Sequence, residues 1–428
     1  MLLAAGRRLA VAAPVACRGQ GLAARAFSEA ASGDAASGRR LWRWGGAAGL
    51  MGNEAEAEIS KDPLLVEGFR NVSGIFCGTG HSAFISEGQL YTFGSNKHGQ
   101  LGRSGDEQEP GLVAFPDDAE PIVQASLGAH HSAAITASGD LFTWGWGGSF
   151  WSGTGALGQG ETTGCTEPIK VKKITGSLGE KATQVACGAQ HTLILTEAGN
   201  LYSTGEGSYG RLGRGDTSSE VEFEEIDFFK ETDESILAPG KPTEILKIGA
   251  GANFSAALAT SGELWVWGRN DHGQLGLGEE AMGDMYSAES YPRLVPGLAS
   301  EGHKIVDFVC GESHLVVKTE AGLLFEWGSR TWLEPHEVPV PELHKESLSN
   351  IVKLAAGEKY SFVLSADGQL FSWGAKSSGC LALSEDSPKI VVEPTPIAST
   401  VFARQKVVDI VASKGRCLAI TEEDAFVP

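Results

Sequence analysis

Three cysteine and histidine pairs recur at one spacing, Cys77 with His81, Cys187 with His191 and Cys310 with His314. Thiolate and imidazole four positions apart are ligand types that hold zinc. The equivalent slots elsewhere in the chain carry Leu127, Ala250, Ala356 and Ala412 in place of cysteine, and Phe254, Tyr360 and Arg416 in place of histidine. A slot that accepts leucine or alanine asks for an apolar group, and one that accepts phenylalanine does not need a ligand. Both are therefore read as structural, and no metal is assigned. Two stretches, Gly153 to Gly158 and Gly205 to Gly210, satisfy Gly-x-Gly-x-x-Gly. A dinucleotide site needs a strand before such glycines and a helix after them, whereas more glycine and turn residues follow here. No cofactor is assigned. No Gly-x-x-x-x-Gly-Lys-Ser/Thr occurs, no catalytic constellation stands out, and the chain is read as a non-enzyme.

The slots belong to one repeated phrase. It opens at His81, His131, His191, Phe254, His314 and Tyr360, turns at Gly88, Gly139, Gly199, Gly262, Gly322 and Gly368, and ends in an aromatic-rich run closed by glycine. A seventh opening stands at Arg416, while Leu41-Trp42-Arg43-Trp44-Gly45 is a closing half with no opening before it. Two runs of β-branched and aromatic residues around a turn glycine predict a β-hairpin. A short apolar strand precedes each hairpin, and a glycine-rich return such as Asn96 to Gly102 or Asn270 to Gly276 follows. Four strands in about 46 to 63 residues cannot bury their own faces, so the units must stack. The reading is all-β: a seven-bladed β-propeller over 41–428, closed by an N-terminal strand. Phe426 falls in the same slot as Leu41, so the last C-terminal residues are expected to diverge rather than pair.

Composition agrees. Glycine supplies 57 of 428 residues, 42% are hydrophobic, and no apolar run approaches the ~18 residues of a membrane span. A net charge of −20 repels phosphate backbones, so DNA and RNA are poor partners. Residues 1–27 hold four arginines and no acid, and removing them takes the charge from −20 to −24. That composition, with Arg25-Ala26-Phe27-Ser28 at its end, predicts a mitochondrial transit peptide cut near Ser28 and followed by a linker over 28–40. A secretory signal, with Arg7 and Arg8 before the apolar Leu9 to Ala16, is the competing reading. Seven scattered cysteines do not make a disulfide framework and fit a reducing compartment.

The phrase, with its Cys/Ala-Gly-x-x-His-Ser/Thr opening, its Leu-aromatic-x-Trp-Gly close and its Asn-x-x-Gly-Gln-Leu-Gly return, resembles the regulator of chromosome condensation repeat family. That resemblance covers about residues 41 to 428. It implies a seven-bladed propeller used in protein recognition, with guanine nucleotide exchange on the small GTPase Ran as the founding activity. In the family, exchange looks to depend on an inserted wedge and on acidic residues. The chain departs from the pattern where Thr204-Gly205 replaces Trp-Gly, and where Ser329-Arg330-Thr331-Trp332-Leu333 has lost the return.

Two insertions interrupt the repeat, and departures of that kind are where function collects. One runs from Trp146 to Gly160 and carries Phe150 and Trp151 on a glycine-rich loop. The other, 216–242, has nine acids against two lysines, with phenylalanines interleaved. Its Glu222, Phe223, Glu224, Glu225, Asp227, Phe228 and Phe229 are, with Phe150 and Trp151, the candidate partner-binding residues. The competing reading folds 216–242 onto its own blade. The sequence thus points to a mitochondrial protein-binding propeller, in the matrix or on the matrix side of the inner membrane, acting on mitochondrial complexes or gene expression. The alternatives are a nucleotide exchange factor for a small GTPase and an RNA-associated ribosome or transcript factor.

Overall fold

The computed structural model describes residues 38–45, 60–149, 153–230, 242–278, 287–348, 350–376 and 379–422. The leader 1–27, the linker up to residue 37, Phe150, Trp151 and Phe426 lie outside them. Seven four-stranded antiparallel sheets make a seven-bladed β-propeller. Blades 1 to 6 span 72–112, 122–170, 182–225, 245–294, 305–337 and 351–396. Within each, chain order runs from the axis outward, and the second strand, such as His131–Thr136, is buried along its whole length in every one of these six blades but the fifth, where Lys318 is half-buried. The cysteine slots of all seven blades, Cys77, Leu127, Cys187, Ala250, Cys310, Ala356 and Ala412, line one cavity of about 100 Å³ at the axis. That convergence explains why the slot tolerates only apolar, mostly small groups.

Blade 7 is shared by the two ends of the chain. Lys406–Ser413 and Arg416–Glu422 supply its inner half, and Arg40–Gly45 pairs with the latter, Leu41 opposite Ile420 and Trp42 opposite Ala419. Ser60–Val66 then forms the outer strand against Arg40–Gly45. The sequence pointed to one closing strand; the N-terminal segment provides two. Outer strands are open edges, and Pro63, Pro168, Pro292, Pro335 and Pro394 each sit in one. Proline removes the donor through which a foreign strand would pair.

The histidine slot ties each blade to the next. His81 Nε2 meets Ser132 Oγ at 2.7 Å, His131 meets Thr192 Oγ1 at 3.0 Å, His191 meets Ser255 Oγ at 2.9 Å and His314 meets Ser361 Oγ at 3.1 Å. Ser132, Thr192 and Ser255 donate their single proton to the carbonyls of Gln100, Ala156 and Arg211. They must therefore accept from Nε2–H, which leaves Nδ1 unprotonated. Consistently, the buried Nδ1 atoms of all four histidines have no hydrogen-bond partner. Where Phe254 replaces histidine, the facing slot is Leu315, and both are fully buried.

Burial holds His81 and His131 down at about 3 and His314 at about 4. The native state therefore refuses a proton that the unfolded chain accepts. This contribution to stability is complete above the unfolded value near 6.5 and is lost as pH falls toward about 3. His131→Phe, which copies the Phe254 slot, is expected to melt slightly lower at pH 7. It should also remove up to about 1.4 kcal/mol per pH unit from the acid slope below pH 6.5. Thermal melts from pH 7 to 4 measure both effects, and an unchanged slope would refute the titration.

Candidate interaction face

Among the described residues of the acidic insertion, 220–229 do not form a free arm. Glu220–Glu225 is the outer strand of blade 3, and Asp227–Phe229 is a 3₁₀ turn beyond it. Phe223, Phe228 and Phe229 are 0%, 1% and 4% exposed, so their assignment as contact residues is corrected to core. The reason lies in the departure at Thr204. Elsewhere the last glycine of a return abuts the tryptophan of the next blade: a Cβ on Gly102 would lie 2.6 Å from Trp144 Nε1, and one on Gly276 would lie 2.6 Å from Trp327 Nε1. At Gly158 the same position faces Phe223 at 2.4 Å and Thr204 Cγ2 at 3.1 Å. Phe223 therefore occupies the space that the missing tryptophan leaves. Phe228 and Phe229 pack edge-on against Trp265 of blade 4, at centroid distances of 5.6 and 5.9 Å. Three of the candidate acids are partnered as well: Lys173 Nζ lies 3.3 Å from Glu222 and 2.5 Å from Glu224, and Lys230 pairs with Glu225, while Asp227 is exposed.

The second departure is also compensated. In four seams a tryptophan donates to the carbonyl of the preceding return, Trp144 to Gln100, Trp267 to Arg211, Trp327 to Gln274 and Trp44 to Cys380. Blade 5 lacks that return, and Trp373 Nε1 donates to Glu326 Oε2 at 2.5 Å instead. Glu326 also accepts from Ser361. Burial raises its carboxyl above the ordinary range, with the two hydrogen bonds opposing. A raised native value means that the stability contribution is complete below the unfolded value near 4.5 and is lost as pH rises through the native one. Glu326→Gln keeps the acceptor and is expected to flatten this slope. Glu326→Leu leaves two donors unpaired and should cost about 1–3 kcal/mol. Equal stability of the Leu and Gln variants, compared across pH by denaturant melts, would contradict the assignment.

What remains uncompensated lies on the face that carries the returns. There the third strand of each blade leaves beside the inner turn, as Ser95 N donates to Gly80 O, Trp146 N to His130 O, Glu206 N to Gln190 O and Arg269 N to Asn253 O. Directly after Trp146, Gly148–Ser149 and Gly153–Thr154 form a two-stranded hairpin. Phe150 and Trp151, next in the sequence after Ser149, lie outside the described residues.

One seam further round, the returns of blades 3 and 4 place two guanidinium groups against one ring. Arg211 and Arg269 lie 5.6 and 4.8 Å from the centre of Tyr209. Asp271 binds Arg269 at 2.7 Å and has Arg330 at 4.0 Å. Arg211 is 3% exposed, fills the slot of Gln100 and Gln274, and donates Nε to Ser208 O. Burial, with Arg269 adding repulsion, brings its guanidinium down to about 10, while Glu206 and Tyr209 act in the other direction. Arg211 Nη1, Arg269 Nε and Asp271 Oδ1 are buried without a hydrogen-bond partner. Tyr209 adopts φ of 63°, a conformation that non-glycine residues seldom take. The sequence reading passed over these residues. The signal was arginine in a glutamine slot and a charged residue directly after the closing glycine. Among the described residues, no group of three or more His, Cys, Asp or Glu could hold a metal, and no helix is long and apolar enough to cross a membrane.

Residues 40–419 match the family model described as RCC1-like domain. The chain belongs to that family. The ultraviolet-B receptor UVR8 of Arabidopsis thaliana is 30% identical over 302 residues, 69% of this chain and 62% of the receptor. The mitochondrial RCC1 domain-containing protein RUG3 of the same plant is 32% identical over 262 residues, 60% of this chain and 53% of RUG3. The chain thus spans little more than half the length of these two relatives. Among solved structures, Prp20p of Saccharomyces cerevisiae superposes with a TM-score of 0.73 at 19% identity, covering 90% of this chain and 92% of Prp20p. Human WBSCR16 gives 0.71 at 21% identity, covering 90% and 99%. Both share the RCC1-like propeller.

Proposed function

We propose that this RCC1-like propeller is a protein-binding factor of mitochondria, without catalysis of its own, that assembles or regulates a mitochondrial complex or its gene expression. The observation carrying the interaction is the Arg211 and Arg269 pair around Tyr209, whose partly exposed member, Arg269, suits a carboxylate of a partner protein. The acid-free leader and the mitochondrial relative RUG3 support the location, in the matrix or on the matrix side of the inner membrane. Proximity labelling of the wild type and of Arg211→Gln/Arg269→Gln in intact mitochondria tests both parts. The variant should lose most of the labelled set; an unchanged set would move the contact to another face. An intact Met1 on the purified mitochondrial protein would overturn cleavage near Ser28.

Guanine nucleotide exchange is the second reading. Prp20p is described by its binding to Gsp1p and histones. The paired strands Gly148–Ser149 and Gly153–Thr154 interrupt the repeat on the return face, where an inserted wedge would stand. Deleting 149–153 should abolish any acceleration of nucleotide release from a small GTPase of the compartment. The charge of −20 counts against RNA.

A further inference from the structure

Blade 6 meets blade 7 where the two ends of the chain are joined, and two cysteines face each other across that seam. Cys380 fills the glutamine slot of the blade 6 return, the place of Gln100 and Gln274. Cys417 follows Arg416 and fills the Ser/Thr slot, the place of Ser132, Thr192 and Ser255. In blades 1 and 2 these slots meet as Ser132 Oγ donating to Gln100 O at 2.7 Å. Here Cys417 Sγ lies 3.8 Å from Cys380 O, and the two thiols hydrogen-bond each other. The Tyr360 hydroxyl lies 3.7 Å from Cys417 Sγ. Two different residue types, on a loop and on a strand, have thus both become cysteine at one contact.

Cys380 is also unlike the other thiols chemically. Burial pushes Cys77, Cys187 and Cys310 up to about 12. It pushes Cys417 up as well, whereas the hydrogen bond from Cys417 draws Cys380 below the ordinary thiol value despite burial. The Cys380 side chain is enclosed, but its neighbours Gly379 and Leu381 line a cavity of about 550 Å³, shared with Lys376 and Lys389. A small oxidant therefore has an approach to the backbone on either side of the thiol.

We propose that Cys380 and Cys417 form a reversible redox site, oxidised by a hydroperoxide to a disulfide that locks blade 6 to blade 7. The Cys380 thiolate attacks one peroxide oxygen and the O–O bond breaks. For hydrogen peroxide, the departing hydroxide takes up a proton as water and Cys380 is left as a sulfenic acid. Cys417 sulfur then attacks Cys380 Sγ. The S–S bond forms, the S–O bond breaks, and the leaving hydroxide takes the Cys417 proton as a second water. The two sulfurs together lose two electrons and the peroxide gains them. A reducing dithiol reverses the step by exchange. The cross-link joins the blade 6 return to the strand beside the clasp and restricts the unfolded chain, so it should raise the melting temperature.

The test exposes the full chain to hydrogen peroxide, alkylates the remaining thiols, and maps the peptides by mass spectrometry beside thermal melts. The expected result is a Cys380–Cys417 cross-link, lighter by two hydrogen atoms, with a melting temperature a few degrees higher that dithiothreitol restores. Cys77, Cys187 and Cys310 should remain alkylated. Cys417→Ser should leave a Cys380 sulfenic acid that dimedone captures, with no rise in melting temperature. If that variant does not fold, the wild-type peptide map decides alone. Recovery of Cys380 and Cys417 both alkylated, or Cys380 as sulfinic acid without a cross-link, overturns the site. A cross-link that leaves the melting temperature unchanged overturns the lock.

Discussion

Replacing 216–242 with a short Gly-Ser linker is expected to leave no soluble, cooperatively folding protein. The segment contains the outer strand of blade 3, whose Tyr202 to Glu225 and Ser203 to Glu224 pairings close that sheet. Phe223 fills the space beside Thr204 that a tryptophan fills in other seams, and Phe228 and Phe229 anchor the passage to blade 4. Removing one fully buried phenylalanine costs about 3–5 kcal/mol. Three such losses approach the whole stability of a typical domain, roughly 5–15 kcal/mol. Phe223→Ala alone should therefore lower the denaturant midpoint clearly while preserving the fold. Charge reversal of Glu222 should cost no more than about 1 kcal/mol, because it is an exposed member of a surface ion pair. A linker variant that melts within a few degrees of wild type would show that the segment adds nothing to blade 3.

The contrast between those residues shows what a repeat reveals and what it hides. Blade number and the order of strands are periodic properties, and they were legible in the phrase from His81 to Tyr360. The link between histidine and the next blade's hydroxyl was present too: His81, His131, His191 and His314 face Ser132, Thr192, Ser255 and Ser361, while Phe254 faces Leu315. It needed a spatial register to be seen, because the partners are 47 to 64 residues apart in the four histidine pairs. Compensations were not legible. Phe223 replaces a tryptophan lost at Thr204, and Glu326 replaces a carbonyl lost with a return loop. Each solves a local packing or hydrogen-bonding problem from a position that the repeat does not reserve for it. An acidic segment with three phenylalanines consequently looked like an arm, when its apolar half was filling a seam. The Tyr209 cluster was hidden for the opposite reason. Its residues sit at regular positions of the return, and only their chemistry departs.

Deleting 38–66 should be the most damaging truncation of the propeller, and it tests whether the ring needs its clasp. The deletion removes both N-terminal strands of blade 7 and leaves Arg416–Glu422 as an uncovered edge. Leu41, Trp42, Trp44 and Val66 are buried in the native state. Trp42 Nε1 donates to Thr421 Oγ1 at 2.8 Å, Trp44 Nε1 donates to Cys380 O at 2.6 Å, and Trp44 meets Phe362 and Phe402 edge-on. Each tryptophan is worth about 3–5 kcal/mol on truncation to alanine, so losing both with their strands leaves little net stability. An exposed strand edge next to an opened core also invites pairing between molecules, so the truncated chain should aggregate. Trp44→Ala, by comparison, should remain soluble and melt lower, because the backbone pairing of Arg40–Gly45 survives. A synthetic 38–66 peptide added during refolding should recover soluble protein, since the strands need no covalent link to Arg416–Glu422 to pair with it. If the truncated chain stays monomeric by ultracentrifugation and melts like wild type, six whole blades and their histidine seams hold the ring without a clasp, along with a half-built seventh blade.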